Sequence, residues 1–202
     1  MKRYEDNHFD LAIVDPPYGI ERFKKGFGTT RFKMDERTAK NGIEWDSKPS
    51  KEYWNELFRV SKNQIVWGAN NFEMPPSEYF CIWNKKQTVD NFATAEYAWV
   101  SMGLKKPAKM FDYGIHKHNH TDKIHPTQKP IPLYQWLFYT YAKENDKILD
   151  THLGSGSIAI ALDSVNKIEK LNLTLTACEL DSVNYKKSIQ WIEEQTKWNS
   201  LF

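Results

Sequence analysis

Asp15, Pro16, Pro17 and Tyr18 follow one another at the end of an apolar run, Leu11 to Val14 after Phe9. The run reads as a buried strand, which sets the carboxylate at its mouth. Pro16 fixes its own φ and drives Asp15 out of the helical region, and Pro17 does the same to Pro16, so the turn is stiff before any ligand arrives. A rigid carboxylate beside an aromatic ring suits recognition of something flat and polar. The alternative is a proline-punctuated strand exit with a surface acid and a packed tyrosine.

A second group lies in KILDTHLGSGSIAIALDSVN, residues Lys147 to Asn166. Asp150 closes a short strand, Gly154, Ser155 and Gly156 form a loop, and a helix follows. Gly154, Gly156 and Ala159 fit the GxGxxG/A pattern, in which glycine lets the backbone approach a ligand. The next strand, from Leu173, ends at Glu179, at the separation expected of an acid that hydrogen-bonds a ribose hydroxyl. Asp181 also suits a helix N-cap. The loop lacks the lysine of a triphosphate-binding loop, which favours a nucleoside cofactor without a triphosphate. Upstream, HPTQKPIPLYQWL places Pro126, Pro130 and Pro132 before a helix whose first amides are free to meet an anion such as a carboxylate.

These residues need a scaffold. At 202 residues with 40% hydrophobic content the chain suits one domain with a substantial core. Apolar runs at Leu11 to Val14, Gln64 to Trp67, Phe80 to Trp83, Tyr97 to Val100, Lys147 to Asp150 and Leu173 to Glu179 alternate with amphipathic segments, the pattern of an α/β sheet. Helices are expected at Lys51 to Val60, Ile131 to Lys143, Ser157 to Asn166 and Val183 to Gln195. In such sheets ligands sit at the carboxyl ends of strands, so Asp15 and Asp150 should face one edge. Two irregular basic stretches remain, Gly19 to Ser50 and Met102 to Ile124. The net charge of +2 conceals them, and patches of this kind attract phosphate backbones. His116, His118 and His120 lack partners at metal spacing, so no metal site is expected. Cys81 and Cys178 read as buried thiols. No run approaches the roughly 20 apolar residues of a membrane span, so the expectation is a cytoplasmic protein with no membrane partner.

The motifs Asp15-Pro16-Pro17-Tyr18, His125 to Pro130, Asp150 to Ser157 and Glu179-Leu180-Asp181, taken together and in this order, resemble those of the S-adenosylmethionine-dependent DNA amino-methyltransferases. With the catalytic motif first and the cofactor loop last, the chain is similar to the circularly permuted β group, from about Phe9 to the C-terminus. The resemblance implies a Rossmann-like, mostly parallel sheet with one reversed strand, Tyr97 to Val100, near an edge. It implies DNA as partner and methyl transfer to the N6 of adenine. Cytosine-N4 methylation, or a catalytically weak nucleic-acid-binding protein of the same fold, are the alternatives; Asp15 favours adenine because Ser is more usual at that position in cytosine enzymes.

By the same resemblance, Asp15 and the Pro16 carbonyl accept the amino hydrogens of the target base, Pro17 shapes the turn and Tyr18 stacks on the base. Asp150, His152 and the Gly154-Ser155-Gly156 backbone hold the methionine part of the cofactor, Glu179 with Asp181 the ribose side, and Thr127, Gln128 and Lys129 its amino-acid end. Thr151 and His152 stand where the family usually has Pro and an aromatic residue. Relatives also carry a strand before the catalytic one, whose acid reaches the cofactor's adenine amine. Here MKRYEDNH precedes Phe9, so weakened cofactor binding is expected unless Trp198 to Phe202 or a partner chain covers the gap. No separate target-recognition domain is expected within 1–202, and recognition falls to loops 19–50 and 102–124. The sequence leaves open a homodimer and a restriction partner.

Overall fold

The computed structural model describes residues 1–19, 47–90, 92–119, 123–125 and 127–198. Most of the first basic stretch, His120, Pro126 and the C-terminal residues 199–202 lie outside the described residues. Seven strands form one sheet in the order β5-β3-β4-β2-β1-β6-β7. They are β1 Phe9–Val14, β2 Ser61–Trp67, β3 Phe80–Asn84, β4 Ala95–Val100, β5 Lys109–Asp112, β6 Lys147–Asp150 and β7 Thr174–Ala177. The helices are α1 Lys51–Val60, α2 Ile115–Asn119, α3 Ile131–Tyr141, α4 Ser157–Glu169 and α5 Ser182–Trp198.

The central strands are apolar on both faces because both are covered. Leu11 and Ile13 of β1 join Ile65 and Trp67 of β2 in a core with Leu133, Leu137 and Phe138 of α3 and Ile158, Ala161 and Val165 of α4. The alternate residues Ala12, Val14 and Val66 pack on the other face with Leu57 and Val60 of α1. A one-residue slip of β1 would exchange the two sets, so both cores fix its register with β2, Ile13 opposite Ile65. Ser50 caps α1 by accepting the Tyr53 N–H at 3.4 Å. Glu52 in its first turn and Arg59 in its last complement the helix dipole.

β1 lies parallel to β2 and β6, and β6 to β7. β4 is the reversed strand, antiparallel to both β2 and β3. It sits third from the β5 edge rather than beside it. Its reversal has a consequence for the site, since its first residues, not its last, reach the edge where the parallel strands end.

The structure adds β5, which pairs in parallel with β3. Its residues are mostly exposed, with only Phe111 partly buried against the core, so it carries no apolar run to betray it. β7 stops at Ala177, short of the expected Glu179. Cys178 therefore lies in a loop and is exposed, correcting the expectation of a buried thiol, whereas Cys81 in β3 is buried as expected. Among the described residues no helix is long and apolar enough to cross a membrane, and no group of metal-ligating side chains gathers.

Candidate active site

Because β1 and β6 are parallel neighbours, Asp15 and Asp150 emerge at the same sheet edge. Asp15 is engaged on both oxygens. Its Oδ1 accepts the Tyr18 hydroxyl at 2.7 Å, and its Oδ2 accepts from the Lys129 ammonium. The Lys129 side chain is only 5% exposed. Its Nζ also lies 3.3 Å from Glu96 Oε2, an ion pair without hydrogen-bond geometry, and 5.4 Å from the centre of the Trp67 ring. Glu96 Oε1 in turn meets Lys85 Nζ at 2.6 Å. The reversed strand delivers Glu96 here, opposite Trp83 of β3, while Lys85 follows directly after β3.

Four charges thus alternate in sign across the edge: Asp15, Lys129, Glu96, Lys85. Burial raises the Glu96 pKa, but Lys129 and Lys85 outweigh it and hold the carboxyl at about 2. Burial disfavours the Lys129 charge, yet Asp15, Tyr18 and Glu96 hold its pKa well above the ordinary lysine value. Burial, aided by the charges of Asp15 and Glu96, pushes the Tyr18 hydroxyl far up, so it remains a donor.

Tyr18 reaches Asp15 by lying over the end of β2. Gly68 there has φ +64°, and a Cβ on it would stand 2.1 Å from Tyr18 Cε1. Gly68→Ala should therefore displace the tyrosine and strain a left-handed backbone position, at about 1–3 kcal/mol. A melting temperature several degrees lower is expected; an unchanged one would contradict this packing. Rings run from Tyr18 toward the second motif: Tyr18 to Phe72 at 6.1 Å, Phe72 to Trp54 at 5.0 Å, Trp54 to Tyr53 at 5.0 Å, and Tyr53 to His152 at 5.7 Å.

At the second strand end Asp150 is buried, and its Oδ1 accepts the His152 N–H at 2.9 Å. Burial, with the charges of Asp15 and Glu179, raises its pKa to about 7 despite that bond. Glu179 anchors the glycine loop: Oε2 accepts the Gly154 N–H at 2.9 Å and Oε1 the Asp181 N–H at 3.0 Å. Asp181 Oδ1 accepts the N–H groups of Val183 and Asn184, each at 2.8 Å, which is the N-cap of α5. Ser155 and Ser157 share a hydroxyl hydrogen bond at 3.0 Å. Thr151 and His152, the departures from the family pattern, are tied in: Thr151 Oγ1 lies 2.7 Å from Tyr53 Oη and 2.9 Å from His152 Nδ1.

The HPTQKP segment divides. Lys129 turns to Asp15, whereas Gln128 braces its own loop, accepting the Ile124 N–H at 3.0 Å through its side chain and meeting His118 Nε2 at 2.7 Å through its carbonyl. Exposed Thr127 has its hydroxyl 3.0 Å from His125 Nδ1. At the start of α3, Pro132 has no N–H and that of Leu133 donates to the Pro130 carbonyl at 3.1 Å, so fewer amides remain for an anion than the sequence suggests. Sequence reasoning missed Glu96, Lys85, Tyr53, Trp54 and Phe72. A lone acid inside an apolar strand, Glu96 between Ala95 and Tyr97, was the one available signal.

The stretch between β4 and α3 also divides. Lys105, Lys106 and Lys109 lie between the end of the reversed strand and the start of β5, at the edge away from Asp15. His116 and Lys117 of α2, after β5, return to the site edge and are exposed.

Burial holds His118, His125 and His152 neutral down to about pH 4. Below about pH 6.5 the unfolded chain takes up three protons that these rings refuse, while the folded chain keeps one on Asp150 that the unfolded chain releases. The balance destabilises the fold as pH falls. The melting temperature should drop steadily from pH 7 to pH 5, at up to about 2 kcal/mol per pH unit; a flat profile would contradict the burial of these rings.

The family model described as DNA methylase, for N6 and N4 methyltransferases, matches residues 82–169. The type II methyltransferase M.HpaI of Haemophilus parainfluenzae is 24% identical over 212 residues, covering 83% of this chain and 64% of that protein. M2.MboI of Moraxella bovis is 25% identical over 210 residues, covering 80% and 74%. The chain thus spans about two thirds of the length of these curated relatives. Among solved structures, the complex of M1.HpyAVI with SAM superposes with a TM-score of 0.54 at 16% identity, covering 92% of this chain and 89% of that one. The cytosine-N4-specific PvuII DNA methyltransferase gives 0.55 at 10% identity, covering 97% and 87%. Those two likenesses concern the fold, a Rossmann-like methyltransferase sheet. The matched domain, the relatives and the two acid-ended strands agree in supporting an amino-methyltransferase of the N6-adenine/N4-cytosine kind.

Proposed function

We propose that the chain transfers a methyl group from S-adenosylmethionine to the exocyclic N6 of adenine in DNA. The observation that carries this reading is the state of Asp15: Lys129 fixes one oxygen, and the other accepts a single donor from Tyr18, a residue on the same short turn. An amino N–H of a base can replace that hydroxyl.

Adenine's amine is a poor nucleophile because its lone pair is delocalised into the ring. Asp15 Oδ1 and the Pro16 carbonyl accept its two hydrogens and stabilise the positive nitrogen that develops, so the protein contributes positioning and electrostatics. Tyr18, once displaced from Asp15, offers its ring as a stacking face, and the base leaves the duplex to be reached. Asp15 at the head of the motif favours adenine over cytosine. Lys117 supplies positive charge at this edge, and binding is salt-sensitive.

The second strand end fits the cofactor. Asp150 is a buried carboxyl whose raised pKa is relieved by a cation, as an α-ammonium group provides. A Cβ on Gly154 would meet only the His152 carbonyl, at 3.8 Å, so the loop backbone is open to a ligand. Glu179 keeps lone pairs for ribose hydroxyls beyond its two backbone bonds. Held by Asp150, the Gly154 loop and Glu179, S-adenosylmethionine would supply an electrophilic sulfonium methyl for the transfer.

Titration calorimetry with S-adenosylmethionine tests the reading. Pairing with an ammonium requires Asp150 ionised, so binding should release a proton below pH 7 and weaken about fivefold from pH 7 to pH 6. Absence of binding at millimolar cofactor would overturn the reading.

A further inference from the structure

The sequence sets Lys129 among residues for the cofactor's amino-acid end, but its ammonium lies on Asp15 and Glu96. We propose that Lys129 is a positioning residue for the base-binding carboxylate, held in place by Glu96 and Lys85, and is not a cofactor ligand. The inference rests on the proposed methyl transfer at Asp15 and deepens it.

A carboxylate on a turn can rotate about its terminal bond and offer either oxygen. With Oδ2 fixed by a buried lysine, Asp15 presents Oδ1 alone, which is the oxygen Tyr18 now occupies. The cation would oppose positive charge developing on the amine if it stood by itself. Glu96 prevents this, because Asp15, Lys129 and Glu96 together carry one net negative charge, on the side facing the amine. Lys85, 2.6 Å from the far oxygen of Glu96 and 4.9 Å from the centre of the Trp83 ring, completes the neutralisation away from the base. The Lys129 ammonium also lies 5.4 Å from the centre of the Trp67 ring. Fixing an acceptor before the substrate arrives removes reorganisation from the reaction step.

Lys129→Met and Glu96→Gln test this. At saturating cofactor, Lys129→Met should lower turnover about 100-fold and Glu96→Gln about tenfold, with affinity for S-adenosylmethionine within twofold of wild type in both. Lys129→Met also strands buried carboxylates and should lower the melting temperature; adding Asp15→Asn to it should restore part of the loss, a non-additivity that needs no activity. A tenfold loss of cofactor affinity with turnover retained would make Lys129 a cofactor ligand and overturn the proposal, as would additive melting temperatures. A wild-type chain that binds cofactor but methylates nothing would fail the underlying reading, and the melting cycle would still decide whether Lys129 and Asp15 are coupled.

Discussion

Asp15→Ala is expected to lower methyl transfer by about 10²–10³-fold or more while cofactor affinity stays within twofold of wild type. The magnitude is that of removing one preorganised partner of the charge that develops in the transition state. The carboxylate touches Tyr18 and Lys129, and Lys129 keeps Glu96 as a partner when Asp15 is gone, so the variant should fold. Steady-state turnover with DNA and calorimetry with S-adenosylmethionine separate the two effects. Tyr18→Ala should also nearly abolish transfer, through loss of the stacking face, whereas Tyr18→Phe keeps the ring, frees Asp15 Oδ1 and should retain most activity. Loss of cofactor binding in Asp15→Ala would contradict the division of the edge into two sites.

Glu179→Ala should do the reverse. It removes the acceptors of the Gly154 and Asp181 N–H groups and the carboxylate offered to the ribose. Two hydrogen bonds to a charged group are worth about 3 kcal/mol together, or about 100-fold in cofactor dissociation constant. Turnover at saturating cofactor should fall by less than tenfold. Unchanged affinity would show that Glu179 only shapes the loop.

The strand ends were legible because parallel strands are buried on both faces and announce themselves as apolar runs, with Asp15 and Asp150 standing where those runs stop. α1 has its expected bounds because Ser50 caps it and Val60 leads straight into β2. The charge chain was not legible. Asp15 and Lys129 are 114 residues apart in sequence, and Glu96 reaches them only because β4 runs backwards, a feature of topology that periodicity along the chain does not carry. Tyr53, Trp54 and Phe72 were hidden for a related reason: aromatic residues near an amphipathic helix read as core until the sheet shows which edge they line. The second basic stretch looked continuous in sequence, but β5 carries the chain from one edge of the sheet to the other in its middle, so only the described residues after β5 return to the edge where the parallel strands end.

The central claim is tested most directly by incubating unmethylated DNA with the chain and S-adenosylmethionine, digesting to nucleosides and measuring methylated products by mass spectrometry. The proposed chemistry predicts N6-methyladenine, absent with Asp15→Ala. N4-methylcytosine in its place would contradict the choice of base, and no methylated nucleoside, with cofactor bound, would contradict methyl transfer to DNA itself.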